Sequence, residues 1–401
     1  MTDKNNIYKH SKKTEILNVS ESLNDKEIIE SGRLVATYYG KGSEAIKLVN
    51  PKKIEVDTIE KKAILQSKSS LEVFIEQYES PADKVGVRAD KLLKFALLDF
   101  TKNNKADRDK YGNSKVDLNS INYFAKVNIE KFAKALGKDI EVKTHDEKGN
   151  PLNRIEIEKE EKRVKSLIDK VRRDVQKDRK ILARTSVFFE EKINGKIEDM
   201  ELKYVGSSRY NNGTATIVID PLFALYLLNR NTLIYQDKQI YKINNDNAYR
   251  MYSEMHKHYS KVANFNNGTN DRLKVKTLLS YTTLKTIEDV RENNGSRRRE
   301  IKDYFENIIQ YLVDNKYIIV PTEEIDGEII ESYYGLPNGH VLSNEERKED
   351  FAIEKMSYEE WSNLNVYFKP ATARELDKIL KETSKTYIAR KQKRKSIASK
   401  K

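Results

Sequence analysis

Ile287-Glu-Asp-Val-Arg-Glu-Asn-Asn-Gly-Ser-Arg-Arg-Arg-Glu-Ile-Lys-Asp-Tyr-Phe-Glu-Asn-Ile-Ile-Gln-Tyr-Leu312 reads as a short helical segment that runs to a glycine and restarts at once as a longer helix. In the longer one Ile301, Tyr304, Phe305, Ile308, Ile309 and Leu312 recur at spacings of three and one, a continuous apolar stripe at the helical period. Gly295 offers the permissive backbone of a tight helix–helix turn, and Ser296 is placed as an N-cap. Arg297, Arg298 and Arg299 then fill the first turn. There the helix dipole is positive, and a cation is disfavoured by about 0.3–1 kcal/mol. A local rule broken this way implies an anionic partner that completes the site. The stretch therefore reads as a helix-turn-helix whose recognition helix meets DNA phosphates and bases. The rival reading is an amphipathic bundle helix with a solvated basic end.

Upstream, Ile129–Gly137 repeats the pattern of Ile287–Gly295, with Ile, Glu, an apolar fourth residue and Gly at the same offsets. Helical spacing at Leu92, Leu93, Ala96, Leu97 and Phe100 precedes it, and a second amphipathic segment runs from Phe124 to Leu136. A long helix is expected over about Glu158–Ala183, apolar at Val164, Leu167, Ile168, Val171 and Val175. Its C-terminal half is strongly basic, and Arg172, Arg173, Lys177, Lys180 and Arg184 are assigned to DNA phosphates. Strand character at Thr185–Phe189 and Leu202–Val205, with turns at Asn194-Gly195 and Asn211-Asn212-Gly213, predicts hairpins after that helix.

After the polar segment Asn229–Asp246 the same order returns: a helix over Ala248–Val262, Leu273–Leu279, the quoted stretch, and a hairpin around Asp326-Gly327. Glu323, Glu324, Asp326 and Glu328 make that hairpin acidic, so it is expected to avoid DNA. Leu336–Asn363 reads as an irregular insertion, and Asn365–Phe368 as a closing strand. The fold expected is α+β, mainly helical, with two tandem winged-helix domains at 81–228 and 247–370. Residues 1–80 would be an N-terminal arm, with strand character at Arg33–Tyr39 and Lys52–Val56 and a short helix at Ser70–Tyr78. Residues 229–246 would be a linker, and 371–401 a basic tail after a short helix at Ala373–Leu380.

The 401 residues carry a net charge of +12, which favours nucleic acid as a partner. Lys381–Lys401 alone holds seven Lys and two Arg against Glu382, which leaves only +4 for the rest. DNA binding by the folded body must therefore rest on local clusters. In the tail Arg390, Lys391, Lys393, Arg394 and Lys395 are expected to track phosphates without reading sequence. The absence of Cys excludes disulfides, thiolate zinc and cysteine catalysis. No signal peptide is visible in Met1–Asn18, and no apolar run is long enough for a bilayer, so the expected compartment is the cytoplasm with no membrane partner.

Strand nicking would need a His-apolar-His metal pair on a strand and a nucleophilic Tyr. Only His256 and His258 are close, on an expected helix where i and i+2 point apart. Tyr38-Tyr39 and Tyr333-Tyr334 belong to a chain with 23 Tyr and read as ordinary core or surface residues. Gly40-Lys41-Gly42-Ser43 lacks the spacing of a phosphate-binding loop, and Asp107/Asp109 sit among Lys and Arg in a polar break. The expectation is binding without covalent chemistry, with no catalytic residue, metal or cofactor.

Arg179–Val187, Tyr210–Leu228 and Asn247–Tyr252 resemble, respectively, the helix–strand junction, the closing strand with its Pro-led helix, and the second-domain entry of iteron-binding initiator (Rep) proteins of theta-replicating plasmids. The likeness spans about Val85–Pro370. It implies sequence-specific binding of origin repeats in double-stranded DNA by the second domain's recognition helix. The residues assigned to DNA there are Ser296, Arg297, Arg298, Arg299 and Lys302, and by helical angle Arg299 points away from the apolar stripe and is the best-placed base reader. The likeness also implies backbone contact and a homodimer in equilibrium with monomer through the first domain, and a host initiator and helicase as partners. A winged-helix transcriptional regulator and a strand-nicking rolling-circle initiator are the alternatives. The charged excursion Lys138–Glu161 and the acidic insertion Leu336–Asn363 depart from the family pattern.

Overall fold

The computed structural model describes residues 33–38, 54–57, 62–66, 71–76, 86–104, 107–108, 114–115, 117–193, 196–230, 233–282, 296–325, 328–348, 353 and 355–398. Among them helix outweighs strand, and the strands are gathered in small antiparallel sheets. The chain is α+β and mainly helical.

The expected arm is built into the body. Leu34–Tyr38 pairs antiparallel with Leu233–Asp237, and Ile54–Asp57, Lys62–Gln66 and Leu71–Glu76 form three strands of a five-stranded sheet. The short helix expected at Ser70–Tyr78 is instead the strand Leu71–Glu76, where Leu71, Val73 and Ile75 alternate at the strand period.

Helix α1 (Val87–Asn103) buries Leu92, Leu93, Ala96, Leu97 and Phe100, the face its spacing predicts. Phe124–Asn128 is a strand, and it passes directly into α2 (Ile129–Ala135), where Asn128 caps the helix by accepting from Lys131 N. A Gly137 φ of 73° lets Gly137 N donate to Lys134 O and Lys138 N to Ala133 O, closing α2. The excursion that follows is shorter than expected. Asn153 and Glu156 form a capping box that starts α3 (Arg154–Ala183) four residues before the expected Glu158. Thr185–Ile193 and Lys196–Lys203 complete the five-stranded sheet. Val205–Asn211 and Thr214–Ile219 form a second hairpin across Asn212-Gly213, both at positive φ as a type I′ turn requires. Thr214–Ile219 then returns beside Phe124–Asn128, and α4 (Pro221–Arg230) follows.

The second half repeats the order. After α5 (Asp246–Tyr259), the strand Arg272–Lys274 passes directly into α6 (Val275–Ser280). Residues 283–295, which include the expected first helix and Gly295 turn of the helix-turn-helix, lie outside the described residues. Then come α7 (Ser296–Asp314) and the hairpin Thr322–Ile325 with Glu328–Glu331, whose turn at 326–327 is likewise outside. Tyr334–Gly335 and α8 (Tyr358–Asn363) precede Asn365–Tyr367, which pairs with Arg272–Lys274. The first helical residue accepts the same constraint in each half: Ile129 N donates to Gly213 O and Val275 N to Leu364 O, both at 2.9 Å. In this respect α2 and α6 occupy equivalent places, each starting directly from a strand that pairs with the returning strand of its half. The last described element is α9 (Ala373–Ala398), far longer than the short helix expected at Ala373–Leu380.

The expected linker is also part of the core. Ile240, Tyr241 and Ile243 are buried, and one hydrophobic cluster runs from Val87 through them to Leu376. A buried polar network fastens α1 to α5. Asp90 accepts from Tyr249 Oη at 2.5 Å and pairs with Lys94 at 3.0 Å, Lys94 also donates to Ser253, and Lys91 Nζ donates to Ile243 O at 2.6 Å. Beside it Arg33 pairs with Asp237, which accepts from Tyr252 Oη at 2.6 Å. The stretch expected as an irregular insertion holds helical segments at Asn344–Lys348 and Tyr358–Asn363, and its Trp361 is fully buried, edge-on to Phe305 with ring centres 5.5 Å apart.

Candidate nucleic-acid interface

Helix α3 is held firmly on one side. Val164, Val171, Val175 and Leu182 are buried. Arg88 of α1 grips Asp178 through two bonds of 2.7 and 2.8 Å and Asp174 through one of 3.2 Å. Burial of Asp178 outweighs this cation and pushes its carboxyl up to about 6. Arg179 donates to Ser208 O and Oγ at 2.9 and 2.8 Å, so the hairpin Val205–Ile219 is tied to the C-terminal half of α3.

The opposite side is cationic. At about 100° per residue, Lys162, Lys170, Arg173, Lys177 and Lys180 fall on one exposed stripe, with half-buried Arg184 at its C-terminal end. Arg173, Lys177, Lys180 and Arg184 are thus brought together as expected, and Lys162 and Lys170 join them. Arg172 lies to the side of the stripe and pairs with Asp169 at 2.9 Å, which neutralises part of its charge. Arg209 on the adjoining hairpin is exposed too. Sequence reasoning took that hairpin only as a fold signal and passed over Arg209; the Asn-Asn-Gly turn beside it marked a protruding loop.

Helix α7 buries Ile301, Phe305, Ile308, Ile309 and Leu312, the stripe its spacing predicts, while Tyr304 on the stripe's margin is 45% exposed. Its backbone begins at Ser296 and carries Arg297 and Arg298 in the first turn, which holds no acidic residue. Arg299 is exposed. Lys302 corrects an expectation. It is buried, and its ammonium donates to Ile353 O at 3.0 Å and Met356 O at 2.8 Å. Burial lowers its affinity for a proton, and a donor spent on two carbonyls is not offered to DNA. The misassignment has a physical source: at 100° from Ile301, Lys302 sits on the edge of the apolar stripe, where the insertion covers it.

The basic tail emerges as a helix. Leu376 and Leu380 of α9 are buried, Tyr259 Oη donates to Asp377 at 2.9 Å, and Ser384 Oγ donates to Asn266 Oδ1 at 2.6 Å. Arg390, Lys391, Lys393, Arg394 and Lys395 lie on its continuation to Ala398. The acidic hairpin follows α7 as expected, with Glu323 and Glu324 on its first strand and Glu328 on its second.

The residues weighed for covalent chemistry are placed elsewhere. His256 is buried, and burial pulls its proton affinity down to about 4. His258 donates from Nε2 to Thr269 O at 2.8 Å. Tyr333 and Tyr334 are buried and their hydroxyls are pushed up by it; Tyr334 donates to Glu306 and accepts from Trp361 Nε1. Gly40–Ser43, Tyr39 and Asp109 lie outside the described residues. Among the described residues no group of three or more acidic or His side chains could hold a metal ion, and no helix is long and apolar enough to cross a membrane. Geometry and charge define an α+β chain with a cationic helix face in one half and a mixed polar helix face in the other. No protein-family model matches the chain, and no curated protein matches it either.

Proposed function

We propose that the chain is a plasmid replication initiator of the tandem winged-helix type, related to the iteron-binding Rep proteins it resembles. It binds origin repeats in double-stranded DNA, opens the origin and recruits a host initiator and helicase, with monomer and homodimer in exchange and no covalent step of its own. The observation that carries the reading is the repeated order of strand, short helix, long helix and returning strand, with the long helix presenting polar or cationic surface each time. In this reading the α3 stripe grips phosphates, α7 reads base edges from its N-terminal half, and the basic end of α9 adds phosphate contacts.

The test is functional. A mini-plasmid carrying the DNA that flanks the gene, with the direct repeats expected in it, should replicate when this protein is supplied and fail with Arg299→Ala. Repeat binding without replication would instead assign the chain to transcriptional control. A covalent tyrosyl adduct on supercoiled origin DNA with Mg²⁺ or Mn²⁺ would assign it to strand nicking.

A further inference from the structure

Two of the long helices face solvent with different chemistry. On α3 the stripe is Lys and Arg apart from Ser166. On α7 the exposed face carries Arg299, Asp303 and Asn307, each one turn after the last, flanked by Glu300 and Tyr304. Three other polar groups of α7 are engaged with the protein. Lys302 is held by the insertion, Glu306 accepts from Tyr334 Oη at 3.1 Å, and Gln310 donates to Asp314 at 2.8 Å. Asp303 and Asn307 face outward.

We propose that Asp303 is a specificity-determining residue: its carboxylate accepts from the exocyclic amine of one cytosine, between a guanine read by Arg299 and an adenine read by Asn307. The inference rests on the DNA-binding reading above and names the chemistry its site selects. The three residue types match the hydrogen-bond code of the major groove: an arginine fork for guanine, a carboxylate for the cytosine amine, a side-chain amide for adenine. From Arg299 to Asn307 the helix advances about 12 Å, the rise of about four base pairs at 3.4 Å each. A carboxylate on a surface that approaches phosphates is repelled by every duplex. Only a base pair that offers the amine offsets that repulsion, so Asp303 penalises wrong sites more than it rewards the right one.

The test uses the full chain and a randomised duplex library, bound at one fixed salt concentration and sequenced. The wild-type chain is expected to select a motif. Asp303→Ala is expected to lose preference at one base pair by about tenfold, while affinity for the unselected library rises by about twofold to fivefold. Asn307→Ala loses preference at a different position. Arg173→Ala, on the other helix, leaves the motif intact and weakens binding to all sequences alike. Each variant is checked against the wild-type melting temperature, which an exposed substitution leaves within a few degrees. A motif unchanged at every position by Asp303→Ala overturns the inference and leaves sequence-specific binding standing. A wild-type chain that selects no motif overturns sequence-specific binding, and this inference with it.

Discussion

Lys302 stands one turn after Arg298 and Arg299, yet its ammonium is bonded to Ile353 O and Met356 O beneath the insertion. Its truncation leaves two carbonyls unpaired, a loss of about 1–3 kcal/mol. Lys302→Ala should lower the unfolding free energy read from urea denaturation by that amount while DNA affinity stays within twofold. A loss of affinity at unchanged stability would return Lys302 to the DNA surface. His256 makes a second residue-scale prediction. Its imidazole is buried and neutral, with a folded pKa near 4 against about 6.5 when unfolded. Between these values the unfolded chain binds the extra proton. Stability is therefore full above about pH 6.5 and falls as pH drops towards 4, by up to about 3 kcal/mol. Denaturation curves across that window, with His256→Gln as control, should show the loss in the wild-type chain and a flatter profile in the variant.

At the scale of elements, α3 is the clearest test of charge. Each phosphate contact contributes about 0.9 to the slope of log affinity against log salt. The triple variant Arg173→Ala, Lys177→Ala, Lys180→Ala should therefore reduce that slope by about two to three, with affinity lowered equally for all sequences. An unchanged slope would mean the stripe is merely solvated. This helix was legible in advance because Val164, Val171 and Val175 announce its buried face locally. The interior stripe of α7 and the Asn-Asn-Gly hairpin were legible for the same reason. The correspondence of α2 with α6 was not, because it is set by strand pairing to Thr214–Ile219 and Asn365–Tyr367, far away in the chain. The likeness of Ile129–Gly137 to Ile287–Gly295 rests on local pattern, and the second of these stretches lies outside the described residues. Burial of Lys302 escaped notice because the covering carbonyls lie 51 and 54 residues further on.

At the scale of the whole molecule, the polar look of residues 229–246 concealed a joint. Asp237 is paired with Arg33 and Tyr252, and Asp90 with Lys94 and Tyr249, so the charged and hydroxyl groups there are satisfied by partners from α1, α5 and the N-terminal strand. The two halves share a core through it. They should unfold in one transition, and Asp90→Ala, which leaves Lys94 buried without its carboxylate, should cost about 3–5 kcal/mol. Two separated calorimetric transitions would contradict a shared core. Under the proposed function, phosphate grip by α3 and base reading by α7 act on one duplex. The central claim is that α7 supplies the sequence reading. It is tested most directly by a salt-controlled mobility shift of the Arg299→Ala chain on the duplex selected by the wild-type protein. The account predicts a loss of tenfold or more on that duplex, about 1–3 kcal/mol, with binding to random duplex weakened only slightly. Unchanged affinity for the selected duplex would contradict it.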